Sequence, residues 1–248
     1  MKRPIATLLL ALAIAIAAAP AFAAREKAPP DPLAPGLSGP DRLAALVERV
    51  KLEQRQLKTL EARFTQQQES SMLTAPEASK GTFSYAAPDK VRWEYASPSP
   101  ITVVIRGDQM TTWYKDLKRA ETLKVGRYSN QVFKYLGASG SLQTLLEYFT
   151  VRLKLPEKKG DPYRMELLPK YQRIAKRLKS MTLWIDGESF FPARLKYVEA
   201  DGDSVEYQFT DFRRNAPIPE DRFVLKLPPG VENRTLDLSR EGSSKSKP

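Results

Sequence analysis

The chain has 248 residues, a formal net charge of +11, no cysteine and no histidine. These absences exclude disulfide bonds, thiol nucleophiles, thiolate zinc sites and most histidine-dependent catalytic triads. The positive charge favours acidic membrane surfaces or acidic partners. Because no nucleic-acid-binding motif accompanies the charge, we expect no nucleic-acid partner.

The first 23 residues have the three parts of a secretory signal peptide. Lys2 and Arg3 form a basic n-region, Leu8–Ala19 an apolar h-region, and Ala21-Phe22-Ala23 a cleavage signal of the small-x-small type. The apolar run is short for a membrane span, and no stop-transfer pattern follows it. We therefore expect cleavage of residues 1–23 and export of a soluble protein.

The rest of the chain divides by composition into three parts. Residues 24–40 are rich in proline and lack periodicity, which predicts a flexible leader. Residues 239–248 form a polar stretch, which predicts a disordered tail. Between them, residues 41–238 are long enough for one domain with a sizeable core.

That domain opens with a predicted helix, which is capped by Asp41 and ends near Leu57. Its apolar residues have helical spacing, at Leu43, Leu46, Val47 and Val50. From Leu60 onwards, alternating apolar and polar residues predict about eleven antiparallel strands, the last of them "RFVLKLP" at 222–228. A helical interlude over 130–136 and 141–148 divides them into two runs.

The alternation assigns many apolar side chains to one face of the sheet. "KVRWEY" places Val91, Trp93 and Tyr95 on that face and Arg92 on the other. The further candidates for the inner face are Phe83, Tyr85, Val103, Ile105, Met165, Leu167, Met181, Leu183, Leu195, Tyr197, Val205, Tyr207 and Phe209. A meander of this length must curl into a complete or partial barrel. Side chains alone can fill the interior of an eight-stranded barrel, but a barrel of about eleven strands is wider. Its interior is either plugged by helices or left as a ligand cavity.

Paired carboxylates are the remaining candidates for catalysis. Asp186 with Glu188, and Asp201 with Asp203, each flank a glycine in a predicted hairpin turn. Aspartate next to glycine is expected in such turns for backbone reasons, which favours a structural role. An exported hydrolase that uses these carboxylates is an alternative function, but no residue set argues for an enzyme.

The stretch "GTFSYAAPDKVRWEYASPSP", followed by "WYKDLKRAE", resembles the signature region of the periplasmic outer-membrane lipoprotein carrier proteins. Further similarity extends from the first helix and "LEARFTQ" to the closing "FVLKLPPGVE". Arg92-Trp93 between Pro88 and Pro98 is the most specific part of the pattern. One departure is Ala87, since family members often carry a basic residue immediately before the first proline.

The resemblance implies a mainly β (α+β) fold, an unclosed antiparallel β-barrel whose open side is covered by helices as a lid. The implied function is that of a periplasmic chaperone that binds the acyl chains of lipoproteins in an apolar cavity. An inner-membrane transporter would supply the cargo, and an outer-membrane acceptor or an anionic membrane surface would receive it. The resemblance further implies a monomer with no cofactor and no chemical step.

By matching position, the resemblance implies that Phe83, Val91 and Trp93 line or flank the acyl-binding cavity. Alternation adds the other expected cavity residues: Tyr85, Tyr95, Val103, Ile105, Met165, Leu167, Met181 and Leu183. The lid or its gate is expected to involve Arg92, Leu142, Leu145 and Leu146. A second alternative keeps the fold but changes the function, to an envelope-stress sensor that binds an anti-sigma partner. Such sensors usually carry a second C-terminal domain.

Overall fold

The computed structural model describes residues 29–124, 146–158 and 160–236. The predicted signal peptide, the polar tail and most of the helical interlude lie outside these ranges. In the described part, twelve strands form one sheet. The strands that precede the interlude are β1 (Thr59–Glu69), β2 (Glu77–Ala86), β3 (Lys90–Ser97), β4 (Ile101–Arg106), β5 (Gln109–Tyr114) and β6 (Arg119–Lys124). Those that follow it are β7 (Phe149–Lys154), β8 (Tyr163–Pro169), β9 (Leu178–Ile185), β10 (Pro192–Glu199), β11 (Ser204–Arg214) and β12 (Glu232–Leu236).

The strand order across the sheet is β12-β6-β5-β4-β3-β2-β1-β11-β10-β9-β8-β7. All neighbours are antiparallel except β12 and β6, which are parallel. The two edge strands, β12 and β7, do not pair with each other within the described part of the chain. The structure therefore confirms the unclosed, mainly antiparallel sheet, with twelve strands where about eleven were expected.

The prediction of a final strand over 222–228 is wrong. Glu220–Phe223 forms a 3₁₀ turn, and the chain then runs without regular structure to β12. Phe223 is 2% exposed and packs as a core side chain. The alternation of apolar residues here therefore comes from an irregular segment that buries some of its side chains, and not from a strand. Two consecutive prolines, Pro228 and Pro229, lack the N–H groups that a strand ladder needs.

Helix α1 (Gly39–Gln56) ends where the sequence indicates, with Leu57 as its C-cap residue. Its N-cap is Ser38 and not Asp41, because the Ser38 hydroxyl accepts a hydrogen bond from the Asp41 backbone N–H at 3.3 Å. Asp41 instead lies in the first turn, where a carboxylate is favourable beside the positive end of the helix. Within the described ranges, no helix combines the length and the apolarity that spanning a membrane requires.

The apolar stripe of α1 covers one half of the sheet, β7–β10, which we call the covered half. Leu46 is 0% exposed and packs with side chains of these strands. The buried members of this cluster are Leu46, Val47, Val50, Phe149, Tyr163, Met165, Leu167, Met181, Leu183, Ile185, Phe190 and Leu195. Before the helix, Pro32 is also buried, and its carbonyl accepts a hydrogen bond from Arg42 at 2.8 Å.

The other half, β2–β5, has a core of aromatic rings, and we call it the open half. Phe64 on β1 lies 4.8 Å from Trp93 and 5.0 Å from Tyr95 between ring centroids. Gly81 makes this packing possible. A Cβ atom there would lie 1.9 Å from the Glu94 carbonyl oxygen and 2.8 Å from the Phe64 ring. The glycine of the quoted motif thus lets β3 and the Phe64 ring approach β2 closely.

The outer face of the open half is covered by the segment that joins β11 to β12, residues 215–231. Its 3₁₀ turn lies against β3 and β4. The Arg92 guanidinium donates a hydrogen bond to the Arg222 carbonyl at 3.1 Å, which ties the segment to β3. Beneath the segment, Thr102 is 0% and Val104 is 6% exposed.

Candidate functional site

A cavity of about 410 Å³ lies between β3–β5 on one side and β9–β11 on the other. Its lining is apolar or aromatic throughout: Trp93, Tyr95, Val103, Ile105, Met110, Leu178, Met181, Leu195, Tyr197 and Tyr207. Its volume falls in the range of about 300–1,000 Å³ that is typical of small-molecule sites. The two halves of the sheet therefore enclose a hollow that their own side chains do not fill.

Antiparallel register brings the lining residues together in cross-strand pairs. Trp93 lies opposite Val103, and Ile105 lies opposite Met110. On the other side, Met181 pairs with Tyr197 and Leu195 with Tyr207. Directly opposite residues share one face of a sheet, so each pair presents both side chains to the hollow.

The cavity is open to solvent. Only Trp93, Ile105, Met181 and Leu195 of the ten lining residues are buried, while the other six are partly exposed. Burial of large apolar side chains away from water is favourable. A contiguous group of them that stays half-exposed is therefore typical of a binding surface.

The three tyrosines of the lining bring polar atoms into the cavity without bringing charge. The Tyr95 hydroxyl donates a hydrogen bond to the Gln66 side-chain oxygen at 3.0 Å. Burial raises the pKa of Tyr95, raises that of Tyr197 to about 12, and, with the adjacent Tyr95 hydroxyl, raises that of Tyr207 well above its usual range. All three side chains are therefore neutral at physiological pH, which suits an uncharged hydrocarbon ligand.

The structure divides the expected acyl-binding residues into two groups. Five line the cavity: Trp93, Tyr95, Val103, Ile105 and Met181. The other six are buried in the two cores on either side of it: Phe83, Tyr85, Val91, Met165, Leu167 and Leu183. Alternation identifies the inward face of a strand, but it does not distinguish a side chain at the cavity surface from one beneath its neighbours.

Two of the four residues expected in the lid or its gate belong to the described part of the chain, and neither lines the cavity. Arg92 lies on the face of β3 opposite Trp93, where it pairs with Glu94 at 2.7 Å. Leu146 belongs to a helical turn before β7 and packs against the core of the covered half. Leu142 and Leu145 lie outside the described residues.

Sequence reasoning did not assign five of the lining residues to the site. It placed Leu195, Tyr197 and Tyr207 on the inner face only, with Tyr207 favoured as a core residue, and it did not identify Met110 and Leu178 at all. Met110 is the partner of Ile105, and the short β4–β5 hairpin provides a signal for that pairing. Leu178 precedes Met181 by three positions on β9, so strict alternation places the two side chains on opposite faces of the sheet. A β-bulge, in which Glu199 pairs with Leu178 and Val198 with Ser180, lets it join the lining.

The carboxylate pairs of the hydrolase alternative do not share a cleft. Asp186 and Glu188 lie in the β9–β10 turn, and Asp201 and Asp203 lie in the β10–β11 turn, at opposite ends of β10. Asp186 accepts hydrogen bonds from the Ser189 N–H and hydroxyl, both at 2.7 Å, and this bonding lowers its pKa despite partial burial. Asp186 and Asp201 thus accept hydrogen bonds from backbone N–H groups of their own turns. In the described ranges, no three acidic side chains converge as a metal site.

Comparison with known proteins agrees with the fold and with the family that the sequence resembles. The family model described as "Outer membrane lipoprotein carrier protein LolA" matches residues 55–226, more than half of the chain. An outer-membrane lipoprotein carrier protein of Methylibium petroleiphilum is 25% identical over 177 residues, which is 71% of this chain and 83% of the relative. That of Alkalilimnicola ehrlichii is 27% identical over 179 residues, which is 70% of this chain and 76% of the relative.

A solved structure shows the same fold. The crystal structure of an uncharacterised conserved protein from Thermus thermophilus superposes with a TM-score of 0.53 at 10% identity, covering 78% of this chain and 99% of the other. At that identity the likeness concerns the fold alone. Together with the match over residues 55–226, the observations show that the chain belongs to the LolA family of outer-membrane lipoprotein carrier proteins.

Proposed function

We propose that this protein binds the acyl chains of lipoproteins in the cavity between the two halves of the sheet and carries them across the periplasm. Cargo would come from an inner-membrane transporter and go to an outer-membrane acceptor. The observation that carries the proposal is an apolar hollow of about 410 Å³, open to solvent, in a chain of the carrier family.

The energetics of an acyl chain favour such a site. Each CH₂ group removed from water contributes about 0.8 kcal/mol, so a chain of about sixteen carbons gains on the order of 13 kcal/mol. That free energy is too large for the chain to stay in water. Because six of the ten lining residues remain partly exposed, the hollow buries a chain incompletely, which favours later release.

The five predicted residues that line the cavity are the proposed acyl contacts, with Met110, Leu178, Leu195, Tyr197 and Tyr207 added from the structure. The six predicted residues in the adjoining cores are proposed to hold the cavity in shape. Leu142, Leu145 and Leu146 stay the proposed lid residues. We propose no reaction step for any of them.

Native mass spectrometry of the protein purified from its own envelope tests the proposal. We expect a population that carries a diacylated or triacylated species, and release of acylated lipoprotein from transporter-bearing vesicles when the unloaded protein is added. Failure of acylated cargo to associate under either condition would contradict the proposed function.

A pair of variants links that binding to the cavity. Val103→Phe adds a ring to the cavity lining and should lower the acyl-bound fraction several-fold, because it occupies ligand space. Thr210→Phe makes a comparable addition at an exposed position on β11, outside the lining, and should leave that fraction unchanged. Equal loading of the two variants would place the ligand elsewhere.

A further inference from the structure

Ten of the connections between successive elements divide into two groups, because neighbouring strands run in opposite directions; the segments between β6 and β7 and between β11 and β12 belong to neither group. One group lies at the end of the sheet where β1 finishes: residues 70–76, 98–100, 115–118, 170–177 and 200–203. We call it the basic end. The other group lies where β1 begins: residues 57–58, 87–89, 107–108, 155–162 and 186–191. We call it the acidic end.

The connections at the two ends differ in charge. In the sequence, the connections of the basic end contain six lysines and arginines against three aspartates, whereas those of the acidic end contain six acids against three lysines. An anionic surface attracts the connections of the basic end more strongly than those of the acidic end.

Most of the positive charge of the basic end lies in one segment, "KYQRIAKRLK" at 170–179, which contains the short helix α2 (Gln172–Ala175) and no acid. Arg173, Lys176, Arg177 and Lys179 are exposed, and within the described part of the chain none of them forms an ion pair. Two acids, Glu199 and Asp201, line a depression together with Lys176 and Arg177. The segment thus retains an excess of positive charge.

Exposed apolar side chains accompany these cations. Met72 is 88%, Leu117 63% and Tyr171 55% exposed, each on a different connection of the basic end. Tyr148, 43% exposed and immediately before β7, lies 6.1 Å from Tyr171 between ring centroids. Tyrosines and apolar side chains next to lysine and arginine are typical of protein surfaces that contact lipid head groups.

The cavity reaches the surface at this same end. Leu178 and Tyr197 line it and also line the depression formed with Lys176 and Arg177, which has a volume of about 490 Å³. The basic segment therefore borders a mouth of the apolar cavity.

We propose that the basic end docks on an anionic lipid surface and turns this mouth of the cavity towards the lipid. Exposed cations on long side chains, with single apolar residues spread over separate loops, fit a fluid charged surface better than a shaped protein groove. The residues of this surface support the docking proposal without reference to the carrier function. Only the use of docking, the transfer of an acyl chain between membrane and cavity, rests on the proposed function.

Co-sedimentation of the exported protein with vesicles tests the proposal. We expect binding to vesicles of phosphatidylcholine with phosphatidylglycerol, little binding to phosphatidylcholine alone, and weakening with added salt. The triple variant Arg173→Gln, Lys176→Gln, Arg177→Gln should bind anionic vesicles on the order of a hundredfold more weakly, from the usual contribution of each cation near a charged membrane.

The matched control carries the same loss of charge at the opposite end of the molecule: Lys58→Gln, Arg106→Gln, Lys158→Gln. It should keep wild-type binding. Equal loss in both triple variants would overturn the proposal, because net charge alone would then explain the attraction. Equal affinity for neutral and anionic vesicles would also overturn it. A third result would overturn the proposal: the first triple variant binds vesicles normally but no longer binds an acidic acceptor protein.

Acyl loading of the same proteins separates this proposal from the proposed function. The first triple variant changes Lys176 and Arg177 beside the mouth but no residue of the cavity lining. It should therefore load acyl cargo in detergent as the wild type does. Vesicle binding by a wild-type protein that never carries acyl chains would contradict the carrier function and leave the docking surface standing.

Discussion

The two halves of the sheet are built from the same kind of strand but bury their inner faces differently. In the covered half, α1 lies over β7–β10, and its side chains complete a cluster in which Leu46, Met165 and Leu167 are 0% exposed. In the open half, aromatic rings pack on one another, and part of their surface faces the cavity. Helix α1 therefore completes the core of the covered half, whereas rings of the open half are left to line the hollow together with side chains of β9 and β10.

The largest effect that tests this contrast is expected from Leu46→Ala in α1. The side chain is fully buried against the strands of the covered half. Its truncation should lower the free energy of unfolding by about 3 kcal/mol, the usual cost of a leucine-to-alanine cavity in a core. Urea denaturation followed by circular dichroism measures it.

Leu178→Ala, the same substitution in the cavity lining, provides the comparison. Leu178 is only partly buried, so the cost should be below about 1 kcal/mol while acyl loading falls. If the two variants lost equal stability, the distinction between the core beneath α1 and the cavity lining would be wrong.

A smaller loss is expected in the open half from Gly81→Ala. The added methyl group meets the Glu94 carbonyl and the Phe64 ring, so β3 must move away from β2. Such overpacking costs about 2 kcal/mol. Thermal unfolding measures the loss, and Gly39→Ala, where a Cβ atom would have no neighbour within 4 Å, is the control. An unchanged midpoint for Gly81→Ala would show that the aromatic cluster is looser than its distances indicate.

The smallest effect concerns pH. Burial, with nearby Tyr207 and Glu199, raises the pKa of Tyr197 to about 12, whereas an unfolded tyrosine titrates near 10. Between these values the unfolded chain releases a proton that the folded chain retains, so this tyrosine lowers stability as the pH rises from about 10 to 12. Below pH 10 its contribution is constant.

Tyr197→Phe removes that contribution and should lessen the drop in the urea midpoint between pH 9 and pH 11. Tyr171→Phe, at a tyrosine that is 55% exposed, is the control and should leave the drop as in the wild type. A drop of the same size in all three proteins would mean that Tyr197 is more accessible to solvent than its place in the cavity lining indicates.

Most of the fold was predictable because its signals are local. Apolar spacing in residues 43–50 predicts α1, and strict alternation predicts the strands and their inward faces. The error at 222–228 arose because alternation also occurs in an irregular segment that buries Phe223 against a sheet.

The cavity was predictable only in part. Membership of the inner face follows from alternation, and Trp93, Tyr95, Val103, Ile105 and Met181 were identified in this way. Alternation does not predict how deeply an inward side chain is buried, because that depends on which neighbours cover it. Met165 and Leu167 face inward but lie in the core and not in the cavity lining. Leu178 joined the lining through a β-bulge, which depends on a partner strand and not on its own sequence.

The segment that crosses the outside of the open half has a consequence for the empty protein. It seals Thr102 and Val104, and Arg92 fastens it to β3, so these strands are dry on the side that faces away from the ligand. Their curvature thus has a support that does not depend on what occupies the hollow. A backbone held from the outside in this way needs no bound molecule to keep the hollow open.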